Sequence, residues 1–97
     1  MKKFVFLFVG VWEDQSQDVM DAWTKWFESI GERIVDGGNP LGAGREITPD
    51  GVVQLESDLQ AISGYSIINA EDMDDAVEVA KSCPIVTAVR VYEAMSM

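Results

Sequence analysis

The chain has no histidine among its 97 residues, and that absence removes histidine general bases, serine–histidine and cysteine–histidine pairs, and imidazole metal ligands. It has one cysteine, Cys83, so no disulfide can form within the chain, and the bridge framework that staples many small secreted domains is excluded. A reducing, cytoplasmic setting is the expectation that follows. Positive charge is scarce: seven lysines and arginines stand against seventeen aspartates and glutamates, giving a net charge of −10 and a pI near 4.1. Such a surface repels phosphate backbones and anionic bilayers, so neither nucleic acid nor a membrane is expected as a partner. Long apolar runs are missing too. The run from Phe4 to Trp12 follows Lys2-Lys3 as a signal sequence would, but Glu13, Asp14 and Asp18 come next without a small-residue cleavage pattern. It is also too short to span a bilayer, and it reads as a buried strand.

What the chain does have is an ordinary globular balance, 47% hydrophobic and 25% charged. At 10.7 kDa it has room for one domain, residues 1–97. Surface scaling gives a folded monomer of this mass roughly 5,500 Å² against roughly 15,500 Å² unfolded, so about 64% of the chain's surface can be buried.

The hydrophobic periods divide the chain. Lys3 to Val9 is dense in aromatic and β-branched residues and predicts a strand. Its two faces, Phe4, Phe6 and Phe8 against Val5, Leu7 and Val9, are both apolar, and both need cover. From Ser16, a plausible N-cap, the period lengthens. Val19, Met20, Trp23, Trp26, Phe27 and Ile30 trace one stripe of a helix that ends near Gly31. Residues 34 to 51 hold so many glycines and prolines that only short strand pieces are expected, at Ile34-Val35 and Arg45 to Thr48. Gly64 to Ala70 predicts a further strand. A second helix begins at Asp72, carries Met73, Ala76, Val77, Ala80 and Cys83 on one side and stops at Pro84. Thr87 to Ala94 alternates as a last strand. This order is the split βαβ arrangement: an α+β, ferredoxin-like βαββαβ fold with an antiparallel sheet. Two helices cover one face of a four-stranded sheet, so the other apolar face predicts a homodimer through the sheet.

Candidate chemistry is sparse. The acidic group Glu71, Asp72, Asp74, Asp75 and Glu78 lacks the alternation and central glycine of a calcium loop and reads as helix capping with a solvated face, so no metal is expected. The pairs Gly37-Gly38 and Gly42-Ala43-Gly44 match no phosphate-binding spacing, and no cofactor is expected. Cys83, near a helix C-terminus, reads as a packed, inert thiol. Trp23, Trp26 and Phe27 read as core, with one of them reaching a cleft as the alternative. More informative are polar residues within or beside apolar strands: Asp36, Arg45, Tyr65, Asn69, Arg90 and Tyr92. Asp36 is the candidate base or ligand contact, delivered by Ile34-Val35 to a glycine turn, and an Asx-type turn is its bland alternative. Arg45, Tyr65 and Arg90 are candidate ligand-binding residues, with Arg45 or Arg90 able to pair with Asp36 or to hold a carboxylate.

The block from Gly64-Tyr65 through Asn69-Ala70-Glu71-Asp72 to Ala80-Lys81-Ser82-Cys83-Pro84 resembles the glycine-tyrosine strand, acidic-capped helix and cysteine-proline ending of the YCII-related, or DGPF-domain, family. The tryptophan-bearing first helix and Val35-Asp36-Gly37-Gly38 are similar too. The resemblance implies a ferredoxin-like fold paired through its sheets into a dimeric α+β barrel with a cleft, and it carries over Asp36 and Gly64-Tyr65. The aspartate-glycine-proline-phenylalanine signature is replaced here by Val52 to Ser57, and the histidine proposed for catalysis in some relatives has no counterpart near Asp21, Ala22 and Trp23. The leading expectation is therefore a small cytoplasmic, acidic, dimeric small-molecule-binding module without histidine-dependent catalysis. An enzyme of the same barrel class, doing proton transfer or lyase-like chemistry on a small organic acid with Asp36 as base, is the alternative, and a regulatory protein-interaction module is a further one.

Overall fold

A computed structural model describes residues 1–10, 16–56, 58, 60–84 and 87–96. Of the residues singled out above, Trp12, Glu13, Asp14 and Ser57 lie outside that range. The elements in chain order are β1 (Lys2–Val9), α1 (Gln17–Ile30), a 3₁₀ turn (Gly31–Arg33), β2 (Ile34–Asp36), β3 (Gly44–Thr48), β4 (Gly51–Leu55), β5 (Ile62–Ala70), α2 (Met73–Lys81) and β6 (Ala88–Ala94). Four strands form one sheet in the order β2-β5-β1-β6, and β3 and β4 form a separate hairpin; every pairing is antiparallel. The architecture is α+β, with two helices and an antiparallel sheet, and is compatible with a ferredoxin-like fold.

β1 is central, bonded to β5 on one side and β6 on the other. Phe4, Phe6 and Phe8 alternate onto one face and are buried together with Ile68 and Ala70 of β5. Both helices lie on this face. α1 contributes Trp26 and Ile30, and α2 contributes Ala76 and Ala80. The aromatic contacts tie the layers, with the Trp26 ring 6.3 Å from Phe6 and 6.2 Å from Phe8. The Trp26 indole N–H donates to the Ser82 hydroxyl at 3.0 Å, which fastens α1 to the end of α2. Trp26 is thus a core residue with its one polar atom satisfied.

Helix ends follow the sequence signals. The Ser16 hydroxyl accepts from the Val19 N–H, and Gly31, with φ +36°, closes α1 by donating to the Phe27 carbonyl. Asp72 caps α2 by accepting from the Asp75 N–H at 2.8 Å. The Asp75 carboxylate accepts in turn from the Glu71 N–H at 3.0 Å and from the Arg33 guanidinium at 2.8 Å. Glu78 pairs with Lys81. These bonds account for Asp72, Asp75 and Glu78 of the acidic group. Cys83 is buried, and burial pushes its thiol up to about 11.

The region read as a loop with short strand pieces needs correction at its C-terminal end. Arg45 to Thr48 is a strand, but Gly51–Leu55 is a second one, and together they close a hairpin around Pro49-Asp50. The Thr48 hydroxyl accepts from the Asp50 N–H at 3.2 Å, so the turn that looked like an interruption is the hairpin's own connection.

Three outcomes check this packing. Phe6→Ala, at a fully buried central position, should cost about 3–5 kcal/mol in urea unfolding. With its thiol near 11, only about one Cys83 in a thousand is thiolate at pH 8, so a disulfide reagent should label it only after denaturation. The Arg33 guanidinium, with help from the Glu71 N–H, holds the Asp75 carboxyl below its ordinary 3.8. A depressed carboxylate stabilises the fold above its unfolded value and loses that contribution as pH falls through the folded one. Unfolding midpoints should therefore fall more steeply below about pH 4 in the wild type than in Asp75→Asn.

Candidate functional site

The register of β1 against β5 places Phe8 opposite Gly64 and Phe6 opposite Ser66. Small residues on β5 thus stand beside large ones on β1, and the space they leave under α1 is not filled. It forms a cavity of about 320 Å³. Met20, Trp23 and Phe27 wall it from the helix, Phe8, Gly64 and Ser66 from the sheet. Trp23 stands edge-on to Phe8 at 5.0 Å and to Trp26 at 5.7 Å, so its ring is fixed by its neighbours. Of the three helix aromatics read as core, Trp26 is core, whereas Trp23 and Phe27 are half-buried and line this cavity.

The remaining wall is the segment Gly37 to Pro40 with Tyr65. Three bonds pin this segment to β5: Ser66 donates its hydroxyl to the Gly37 carbonyl at 2.8 Å, the Asn39 amide donates to the Tyr65 hydroxyl at 3.3 Å, and the Leu41 N–H donates to the Ser63 carbonyl at 2.8 Å. Gly38 is required by two facts at once. Its φ is +79°, and a β-carbon there would overlap the Tyr65 carbonyl oxygen. A β-carbon on Gly37, by contrast, would meet only the Phe27 ring edge, at 4.0 Å.

The four residues singled out in the sequence are not brought together. Tyr65 borders the cavity with its carbonyl, against Gly38, and its ring lies on the Leu7 face of the sheet. Asp36 is exposed and does not border it; its carboxylate accepts from the Gly38 N–H at 2.8 Å in an Asx turn, and so shapes the cavity loop from behind. Arg45 lies exposed on the hairpin opposite Gln54. Arg90 lies exposed on β6, across β1's Leu7 from Tyr65, on the sheet face away from the helices. Among the described residues neither arginine pairs with Asp36; the ion pairs are Lys2–Glu93, Arg33–Asp75 and Lys81–Glu78. The residues that sequence reasoning missed are Met20, Phe8, Asn39 and Ser66. The large-against-small pairing of β1 with β5 was the signal for Phe8 and Ser66, visible only once the register is known, and Met20 and Asn39 carried none.

Compared with known proteins, the chain matches no family model and no curated sequence.

The two loop glycines give a paired test of this geometry. Gly38→Ala should lower stability by about 1–3 kcal/mol through a positive φ and the clash with Tyr65. Gly37→Ala, with open space at its β-carbon, should stay within about 0.5 kcal/mol of the wild type. Thermal melts of the two variants check both values.

Proposed function

We propose that the protein is a small-molecule-binding module of ferredoxin-like βαββαβ build, with β3–β4 inserted ahead of the sheet's third strand, working as a homodimer whose sheets pack face to face as an α+β barrel of the YCII-related kind. The observation that carries the binding reading is the cavity under α1, of a size with small-ligand pockets and walled by the rings of Phe8, Trp23 and Phe27. Its glycine loop is pinned to β5 and its helix is fastened through Trp26, so the walls are formed before a ligand arrives. The sheet order β2-β5-β1-β6 agrees with a split βαβ arrangement. A single buried thiol suits a reducing cytoplasm.

Three observations support a second copy as the cover of the sheet's other face. The chain exposes 6851 Å², about 1,300 Å² beyond the roughly 5,500 Å² of a compact monomer of this mass. That excess exceeds the ~800 Å² each partner gives up in a standard interface. On the face away from the helices, β1, β5 and β6 present Lys3, Val5, Leu7, Tyr65, Ile67, Asn69, Arg90 and Tyr92 and not one carboxylate, although the whole chain carries −10. Two copies can meet over these three strands, away from Asp36 on edge strand β2, with less of the self-repulsion that the rest of the surface would impose. The hairpin, too, leaves Ile47 77% and Val53 60% exposed, and a two-stranded ribbon is marginal in water without packing.

A thermal-shift screen over a broad metabolite set tests the binding reading. A ligand at about a hundred times its Kd should raise Tm by roughly 10 °C or more. Absence of any shift across neutral, anionic and cationic compounds would contradict it. Sedimentation equilibrium at micromolar concentration should give twice 10.7 kDa, and a lone 10.7 kDa species would remove the dimer.

A further inference from the structure

We infer that the cavity under α1 takes an uncharged, largely aromatic molecule carrying a single hydroxyl or N–H group, and that it rejects the organic acids the chain's arginines would otherwise suggest. This rests on the binding reading above and narrows it to a ligand class.

The walls decide the charge. Among the described residues that line the cavity, none is Asp, Glu, Lys or Arg. An ion entering would give up water with no opposite charge to replace it, a cost that rises steeply with burial. For an anion the penalty is larger still, because the chain carries −10 and the Asp36 carboxylate sits just behind the Gly37–Gly38 wall. Arg45 and Arg90, the cations that could have compensated, are on the hairpin and on the outer sheet face. Among the described residues no carboxylate lines the cavity to hold a cation either.

The size and polar inventory decide the rest. A volume of 320 Å³ displaces on the order of ten waters, enough for one or two fused rings. Trp23, Phe27 and Phe8 offer ring edges and faces for such a body. Polar capacity is small and specific. The Ser66 hydroxyl has spent its proton on the Gly37 carbonyl, so its oxygen can only accept. Tyr65 borders the cavity through its carbonyl beside Gly38, while its ring lies with Leu7 on the other face of the sheet. The Ser66 acceptor suits a single hydroxyl or N–H on an otherwise apolar ligand. Met20, more than half exposed on α1, stands where the cavity meets solvent.

The test is calorimetric titration at pH 7 of three compounds sharing one ring system: 2-naphthol, 2-naphthoate and 2-naphthylmethylammonium. Each is run against the wild type, against Gly37→Leu, which places a side chain beside Phe27 inside the cavity, and against Met20→Trp, which narrows the mouth from an exposed helix position. 2-Naphthol should bind the wild type at least about tenfold more tightly than either ion, the penalty of an unpaired charge. Either variant should weaken 2-naphthol by about tenfold or more through lost space. Met20→Trp, at an exposed site, keeps the test valid should Gly37→Leu fold poorly. Equal or tighter binding of an ion, still sensitive to the variants, overturns the ligand class and leaves the binding reading standing. Binding of 2-naphthol that ignores both variants overturns the assignment to this cavity. If none of the three binds, the aromatic ligand class is overturned, and the binding reading stands or falls separately on the broad thermal-shift screen.

Discussion

The structure depends on one strand that is apolar on both faces and hydrogen-bonded on both edges. β1 is paired along nearly its whole length with β5 and β6, so its side chains decide what lies above and below the sheet. Phe4, Phe6 and Phe8 draw both helices to one side, where Trp26, Ile30, Ala76 and Ala80 close over them. Val5 and Leu7 remain on the other side, and among the described residues no helix covers them. A one-residue slip of β1 would exchange the two sets, so the same alternation that builds the core also fixes the register.

The cavity follows from that register rather than from any motif. Large residues on β1 face Gly64 and Ser66 on β5, and the mismatch leaves space that the first helix bridges with Trp23 and Phe27 instead of filling. Trp26, three residues along from Trp23, goes into the core and is tied to α2 through Ser82. The helix is held by one tryptophan and lends the next to the cavity. Asp36 enters through geometry: its Asx turn sets Gly37 and Gly38 against Tyr65, which makes it a positioning residue for the cavity wall.

Much of this was legible in the residues themselves. Period-two and period-3.6 patterns mark β1, α1, β5, α2 and β6, and Ser16, Gly31 and Asp72 mark helix ends, because these signals are local. The β4 strand was not legible: Val52 to Leu55 is short, follows Pro49-Asp50-Gly51 and pairs only with β3, so its apolar residues have no intramolecular core to announce. The polar residues of the strands misled for a related reason. Arg45, Tyr65, Arg90 and Asp36 share sequence character, but the fold puts them on a hairpin, a cavity wall, an outer face and a turn. Sequence shows which residues are unusual for a strand, whereas only the register shows which of them meet.

The central claim is that the Phe face of β1 is covered by the chain's own helices and the Val5–Leu7 face by a second copy. Small-angle X-ray scattering at micromolar concentration tests both the mass and the way the copies meet. A single chain has a radius of gyration of 14.4 Å and is a flat body 41 × 40 × 18 Å. Two such bodies stacked sheet to sheet give about 17 Å, since packing through the broad face adds little more than one thickness. A value near 17 Å with the mass of two chains is the result this account predicts. A value near 14.4 Å with the mass of one chain would contradict it, and so would a two-chain particle near 25 Å, the value roughly expected if the copies met edge to edge across their 41 Å width.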